Sequence, residues 1–255
     1  MSLRFASLGS GSRGNATLIQ SAGTLVLVDC GFAARELTRR CELLGVDPAA
    51  IDAILVTHEH GDHIRGVGAV ARKYRLPVWM THGTSRAHDC GELPERRLFG
   101  SHDGDFCLGD LTITPIPVPH DAREPCQFTF SSQGKRFGLA TDLGSLTPVL
   151  VAALDGVDAL LLECNHDPRM LANGPYPPSL QARVGGNYGH LSNQQAAELL
   201  SLIDHQRLRH LVAAHLSEKN NTPELARQAL SSVADFGDRF RLLEQDAGSG
   251  WLELG

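Results

Sequence analysis

The segment Ala53–His63, AILVTHEHGDH, decides how this chain is read. Its first four residues are apolar, as in a short strand buried on both faces. The loop leaving that strand carries His58, His60, Asp62 and His63 within six residues. This is not the helical zinc-protease pattern, which needs a second histidine four residues after the first; Asp62 stands there instead. Four ligand-type side chains are too many for one tetrahedral cation that also keeps an open position. Imidazoles and a carboxylate divide naturally between two adjacent divalent cations, which in hydrolases stand about 3.5–4 Å apart. The competing reading, a solvated turn that happens to be rich in histidine, does not account for the apolar strand directly before it.

Further along the chain, other apolar runs end in the same kind of residue. LTITPIPVPH closes on His120, RFGLATD on Asp142 and HLVAAH on His215. Each run carries its last residue to a common sheet edge, where open α/β architectures gather their binding residues. Helix signals fall between the strands. One helix is expected from about Ala33 to Leu44. Ser192 with Gln195 forms a capping box for a helix to about Ile203. Thr222 with Pro223 opens another, to about Ala234. The stretch Asn173–Asn187, with three prolines and three glycines, reads either as a mobile, substrate-facing loop or as a packed Pro-rich crossover.

Near the N-terminus, SLGSGSRGN (Ser7–Asn15) contains a literal G-x-G-x-x-G at Gly9, Gly11 and Gly14. A dinucleotide fingerprint needs a helix opening on its last glycine. The chain instead continues as NATLIQSAGTLVLVDCG, which reads as a second strand, a hairpin turn and a third strand. The expectation is therefore no nucleotide cofactor. The glycines permit a tight turn that approaches neighbouring chain closely.

Composition sets the remaining bounds. The 255 residues read as one domain over 1–255, with 42% hydrophobic residues to fill a core. No apolar run approaches the roughly 20 residues of a membrane span, and the N-terminus lacks a signal-peptide pattern, so no membrane partner and a cytoplasmic location are expected. Six scattered cysteines without a C-x-x-C pair read as reduced, buried thiols. A net charge of −6 argues against coating nucleic acid through basicity alone, but not against an enzyme that grips a few phosphates with a metal centre. Arg72, Lys73 and Arg75 form a basic run that reads mainly as a solvated helix face.

H-x-H-x-D-H followed by a distant histidine, an aspartate and a last histidine resembles the metallo-β-lactamase superfamily of metal-dependent hydrolases, over essentially the whole chain. The resemblance implies an α/β fold, a four-layer αβ/βα sandwich of two mixed sheets flanked by helices, with a binuclear site on one edge. It implies that His58, His60 and His120 hold one cation, that Asp62, His63 and His215 hold the other, and that Asp142 bridges both. Zinc or manganese suits such a mixed nitrogen and oxygen set. The interval Asp142–His215 is too short for the extra domain that an RNA-processing branch carries there. LLECNHDPRML and GHLSNQQAAELL resemble tRNA 3′-processing endonucleases and phosphodiesterases. With SLGSGSRGN, LVDCGF, PHDA, TDLG and HLSEKNNTPEL, the set is similar to the YycJ/WalJ-like branch, associated with 5′-to-3′ exonuclease action on single-stranded DNA and with DNA repair.

That resemblance gives each residue an expected role. A metal-activated hydroxide attacks phosphorus, and Asp62 also orients it. His190, before the capped helix, protonates the leaving oxygen or binds the phosphate; the alternative is a histidine that only packs. Asp29 supports the metal loop by hydrogen bonding, or caps a helix near Phe32. Ser10, Ser12 and Asn15 offer polar groups to a phosphate or to the ligand loops, or only shape the hairpin. His166, Asn220 and Asn221 are candidate substrate contacts, with structural roles as the alternative. His82, His88, His102, His205 and His210 lack such context and read as surface or packing residues. The expected activity is that of a binuclear phosphodiesterase or nuclease on single-stranded nucleic acid. A small-molecule hydrolase, such as a cyclic phosphodiesterase or a lactone or thioester hydrolase, uses the same fold and stands as the alternative. A binding module with a vestigial site is disfavoured because all seven ligand candidates are present.

Overall fold

Strand-forming runs sort into two sheets of seven strands each. The structure, a computed structural model, describes residues 2–255. In chain order the strands are β1 (Arg4–Gly9), β2 (Ala16–Ser21), β3 (Thr24–Val28), β4 (Ala53–Leu55), β5 (Pro77–Thr81), β6 (Glu95–Phe99), β7 (Phe106–Leu108), β8 (Leu111–Pro117), β9 (Cys126–Ser132), β10 (Lys135–Ala140), β11 (Ala159–Glu163), β12 (His210–Ala214), β13 (Phe240–Leu242) and β14 (Leu252–Glu253). The first sheet has the order β14-β1-β2-β3-β4-β5-β6 and the second β13-β12-β11-β10-β9-β8-β7. Each is mixed. β1 to β3 are antiparallel and β3 to β6 parallel. Likewise β7 to β10 are antiparallel and β10 to β13 parallel.

The near-continuous apolar strands explain the layering. Side chains alternate between faces, so an all-apolar strand needs cover on both. In β3, Val26 and Val28 face the core between the sheets, while Leu25 and Leu27 face helices. In β11, Ala159 and Leu161 face inward and Leu160 and Leu162 outward. Phe5 of the first sheet stacks on Phe137 of the second, ring centroids 4.1 Å apart, and ties the sheets together. The helix Ala34–Leu43 and its neighbour Val67–Tyr74 cover the first sheet through Leu37, Cys41 and Val70. Pro148–Leu154, Asn193–Leu202 and Pro223–Ser231 cover the second. This is the expected four-layer sandwich of two mixed sheets flanked by helices.

Local signals behave as their chemistry requires. Ser192 and Gln195 form both bonds of the capping box, and Thr222 caps the helix opened by Pro223. That last helix ends at Ser231, short of the expected Ala234. The Asn173–Asn187 stretch differs more from a simple loop. Pro177 and Pro178 occupy the N-cap and first-turn positions of a helix, Pro178–Val184, where a missing N–H costs nothing. All six cysteines are free thiols, five of them buried. Among the described residues no helix is long and apolar enough to cross a membrane.

Backbone contacts bring the His58–His63 loop against the glycine turn. Asn15 N donates to the Asp62 carbonyl at 2.8 Å and Cys30 N to that of His63 at 2.7 Å. A Cβ on Gly31 would stand 1.8 Å from the Asp62 carbonyl oxygen, and one on Gly14 2.6 Å from the Phe32 ring. Gly31→Ala is therefore expected to push the Asp62–His63 segment outward, lowering stability by about 1–3 kcal/mol and weakening divalent-metal binding. Denaturant midpoints and metal titration check this against Gly23→Ala, where an added Cβ meets nothing within 4 Å.

Candidate metal centre

The parallel strands end at one edge, and the polar residues that close them meet there. His58, His60, Asp62 and His63 follow β4, Asp142 follows β10, and His215 follows β12. His120 arrives from the end of β8 in the antiparallel half of the second sheet. Asp29, Asp142 and His215 all adopt left-handed backbone, with φ of 59°, 57° and 56°. For residues with a Cβ this conformation is uncommon and marks sites held by their surroundings. The turn takes each side chain off its strand axis at the sheet edge.

Each imidazole is anchored through one ring nitrogen and turned inward through the other. His63 Nδ1 donates to Asp29 Oδ2 at 2.8 Å, and the same carboxylate accepts from Thr57 N and Oγ1. His58 Nδ1 lies 3.0 Å from Thr57 Oγ1. His120 Nδ1 donates to the Gly189 carbonyl at 2.9 Å, and His60 Nε2 to that of Asp121 at 3.2 Å. His215 Nδ1 donates to Glu163 Oε1 at 3.1 Å. The inward atoms gather in overlapping groups: His58, His60 and His120; Asp62, His63 and His215; and Asp142 with His58 and His63. The seven residues singled out in the sequence are thus brought to one place. Asp29 acts as a hydrogen-bonded support rather than a helix cap.

Asn15 Nδ2 lies 3.0 Å from His63 Nε2 and 3.2 Å from Asp62 Oδ2, but other inward atoms lack a partner among the described residues. His58 Nε2 and His215 Nε2 are buried with no hydrogen-bond partner among the described residues. Asp142 Oδ2 stands 3.1 Å from His63 Nε2 without an aligned hydrogen bond. His60 Nδ1 and His120 Nε2 face each other at 3.2 Å. Buried polar atoms without partners are costly, and lone pairs converging from imidazoles and carboxylates suit divalent cations. The residues present therefore fit divalent metal.

Neighbouring charges and burial set how readily each of these groups holds a proton. Burial opposes charge on Asp142, but His215 and His63 hold its carboxyl well below the usual range. Burial likewise opposes protonation of His215, yet Asp142, Asp62 and Glu163 lift its pKa to about 10. His63 moves up in the same way against its burial, through Asp142 and Asp29. His58 moves down, from burial and the neighbouring His63.

Glu163 was not singled out from the sequence, although it closes an apolar run as Asp142 and His215 do. Its fully buried carboxylate takes His190 Nδ1 at 2.7 Å and His215 Nδ1 on Oε1, and Leu143 N and Leu191 N on Oε2. Burial would raise its pKa, but His190 and His215 bring it to about 2. The desolvation of His190 is outweighed by Glu163 and Asp142, and its pKa rises.

A cavity of about 490 Å³ opens over this cluster, lined by Ser12, Asp62, Asp142, His190 and His215 among others. Ser10 is buried outside that lining, and its Oγ accepts from His215 N at 3.0 Å. Asn15 takes Gly11 N on Oδ1 and directs Nδ2 to Asp62 Oδ2 at 3.2 Å. These two therefore brace the ligand loops, and only Ser12 of the three faces the cavity. His166, Asn220 and Asn221 are buried and absent from its lining. Asn221 bonds Cys164 O and Asn193, while Asn220 bonds the Ser217 hydroxyl and the Asp167 N–H. Burial takes the His166 pKa down to about 4. None of His82, His88, His102, His205 and His210 belongs to the cluster, and Arg72, Lys73 and Arg75 are solvent-exposed.

Comparison with known proteins shows the family. The family described as Beta-lactamase superfamily domain matches residues 24–215. The chain is 34% identical over 254 residues to exodeoxyribonuclease YycJ of Bacillus anthracis, covering 96% of each chain. It is 33% identical over 232 residues to exodeoxyribonuclease WalJ of Streptococcus pneumoniae, covering 89% of this chain and 86% of that one. Its fold matches the crystal structure of the metallo-β-lactamase fold protein YhfI from Bacillus subtilis with a TM-score of 0.74 at 17% identity, over 97% of this chain and 99% of that one. The chain belongs to the metallo-β-lactamase superfamily, on its YycJ/WalJ-like branch, and is a metal-dependent hydrolase.

Proposed function

We propose that the protein is a phosphodiesterase that removes nucleotides from single-stranded DNA, 5′ to 3′, in cytoplasmic DNA repair. Two divalent cations, zinc or manganese, would be held by His58, His60 and His120 on one side and Asp62, His63 and His215 on the other, with Asp142 between. When bound they lower the pKa of water and neutralise charge on phosphoryl oxygens. The observation that carries the reading is the Glu163–His190 pair: an imidazole with a raised pKa at the cavity wall, its Nδ1 committed to a buried carboxylate. Its second nitrogen, Nε2, is the one available to a substrate. When protonated, that imidazole serves an alkoxide leaving from phosphorus, or the phosphate itself. Asp62, steadied by Asn15, accepts a hydrogen bond from the attacking water and orients it. DNA as substrate and attack from an end are supported by similarity to relatives named exodeoxyribonucleases; the single strand and the 5′-to-3′ polarity belong to the proposal alone.

His190→Ala is expected to lower kcat on oligodeoxynucleotides about 10²- to 10⁴-fold. The loss should be much smaller on a p-nitrophenyl phosphodiester, whose leaving group needs no proton. Steady-state kinetics on both substrates check this. Equal losses would assign His190 to phosphate binding, and undiminished activity on DNA would remove it from the mechanism.

A further inference from the structure

The helix Pro178–Val184 has no buried residue, so its apolar side chains do not serve a core. Leu180, Arg183 and Val184, three and four residues apart, nevertheless share one face of it. With Tyr176, just before the helix, all of them line the cavity over the metal-ligand cluster. The C-terminal end of the helix is tied to the chemistry twice. The Val184 carbonyl accepts from His190 N at 2.8 Å. Arg183 Nε bonds the Asp121 carboxylate, and the Asp121 carbonyl holds His60. Lys219 adds a second cation to the cavity lining.

We infer that Tyr176, Leu180 and Val184 seat the base of the nucleotide adjoining the scissile phosphate, with Arg183 and Lys219 facing the flanking phosphates. This rests on the nucleic-acid reading given above and adds the contact that recognises the strand. Three features specify the occupant. The apolar wall has an aromatic member, and bases stack on aromatic side chains whatever their sequence. Arg183, which shares its charge with Asp121, and Lys219 border the apolar wall, while the carboxylates Asp62 and Asp142 lie at the ligand cluster and Glu218 beside Lys219; the two cations are the groups that a phosphodiester backbone can meet. The cavity volume of about 490 Å³ lies within the range of small-molecule sites, as one nucleotide requires. A base in a duplex keeps both faces stacked on its neighbours, so this wall favours an unpaired end.

The test uses the metal-loaded full chain and two oligodeoxynucleotides, one normal and one with a tetrahydrofuran abasic unit beside the bond first cleaved. In the wild type the abasic unit is expected to raise KM about 10- to 100-fold. Tyr176→Ala should raise KM for the normal strand to a similar extent and lose most of its response to the abasic unit. Tyr176→Phe should keep both the low KM and the response, which also covers the case of an ill-folded alanine variant. A wild type indifferent to the abasic unit, or an undiminished abasic penalty in Tyr176→Ala, overturns the base seat while leaving nuclease activity standing. Failure of the wild type to cleave either strand overturns the nucleic-acid reading and the base seat with it.

Discussion

Asp142→Asn is expected to lower kcat/KM by at least about three orders of magnitude, roughly 4 kcal/mol of transition-state stabilisation. If the proposed two-cation site holds, bound metal should also fall from two ions per chain to at most one. The reason lies in where the carboxylate sits. Oδ2 is 3.1 Å from His63 Nε2, and Oδ1 lies 3.6 Å from His215 Nδ1 and 3.9 Å from His120 Nε2. It thus borders both histidine groups, and it is almost wholly buried. Asparagine keeps the shape, removes the charge and replaces one acceptor oxygen with an NH₂ donor, so a loss reports the carboxylate and not side-chain volume. Metal content by mass spectrometry and kcat/KM on DNA check the two halves. A variant that keeps two ions and full activity contradicts the role of Asp142.

Glu163→Gln is the second large effect. The fully buried carboxylate accepts from two imidazoles and two backbone N–H groups. An amide has one oxygen and turns an NH₂ toward groups that are themselves donors, leaving buried donors unpaired at a cost of about 1–3 kcal/mol each. Activity should fall about 10²- to 10⁴-fold, because His190 loses the partner that keeps it charged and directs Nε2 outward. The pH profile gives the sign. The folded-state pKa of His190 is raised, so its protonated, active form is lost only as pH rises through that raised value. Without Glu163 the pKa drops, and the alkaline fall in kcat should move to lower pH. A profile that keeps its alkaline limb in place would show that Glu163 acts only on stability.

Much of this site is legible in the sequence because of one physical regularity. A buried apolar strand must stop where the sheet meets solvent, and the residue that stops it stands at the edge. His58, His120, Asp142 and His215 are all read from that rule, and the structure gathers them. Glu163 obeys the same rule but escapes notice, since a lone carboxylate after ALLL looks like an ordinary strand end. Its importance comes from two histidines that only the fold brings to it. Ser10, Asn220 and Asn221 show the opposite limit. Ser10 lies in the glycine turn and Asn220 and Asn221 follow the His215 loop, yet none of the three lines the cavity: Ser10 Oγ accepts from His215 N, Asn221 Nδ2 donates to the Cys164 carbonyl and Asn220 Nδ2 to the Ser217 hydroxyl. The Asn173–Asn187 stretch reads as a loop from its prolines and glycines, whereas adjacent prolines at a helix start shape the wall beside the site.

Digestion of labelled single-stranded DNA by the wild-type protein tests the central claim most directly. The protein is stripped of metal, reloaded with Mn²⁺ or Zn²⁺, and given strands labelled at the 5′ or the 3′ end, with duplex DNA and RNA of the same sequence alongside. The expected result is cleavage only after reloading. The 5′-labelled strand should release its label at once as a mononucleotide, the 3′-labelled strand should shorten progressively, and duplex DNA and RNA should be cut more slowly. No phosphodiester cleavage with either metal, together with turnover of a lactone or thioester by the same preparation, would contradict it.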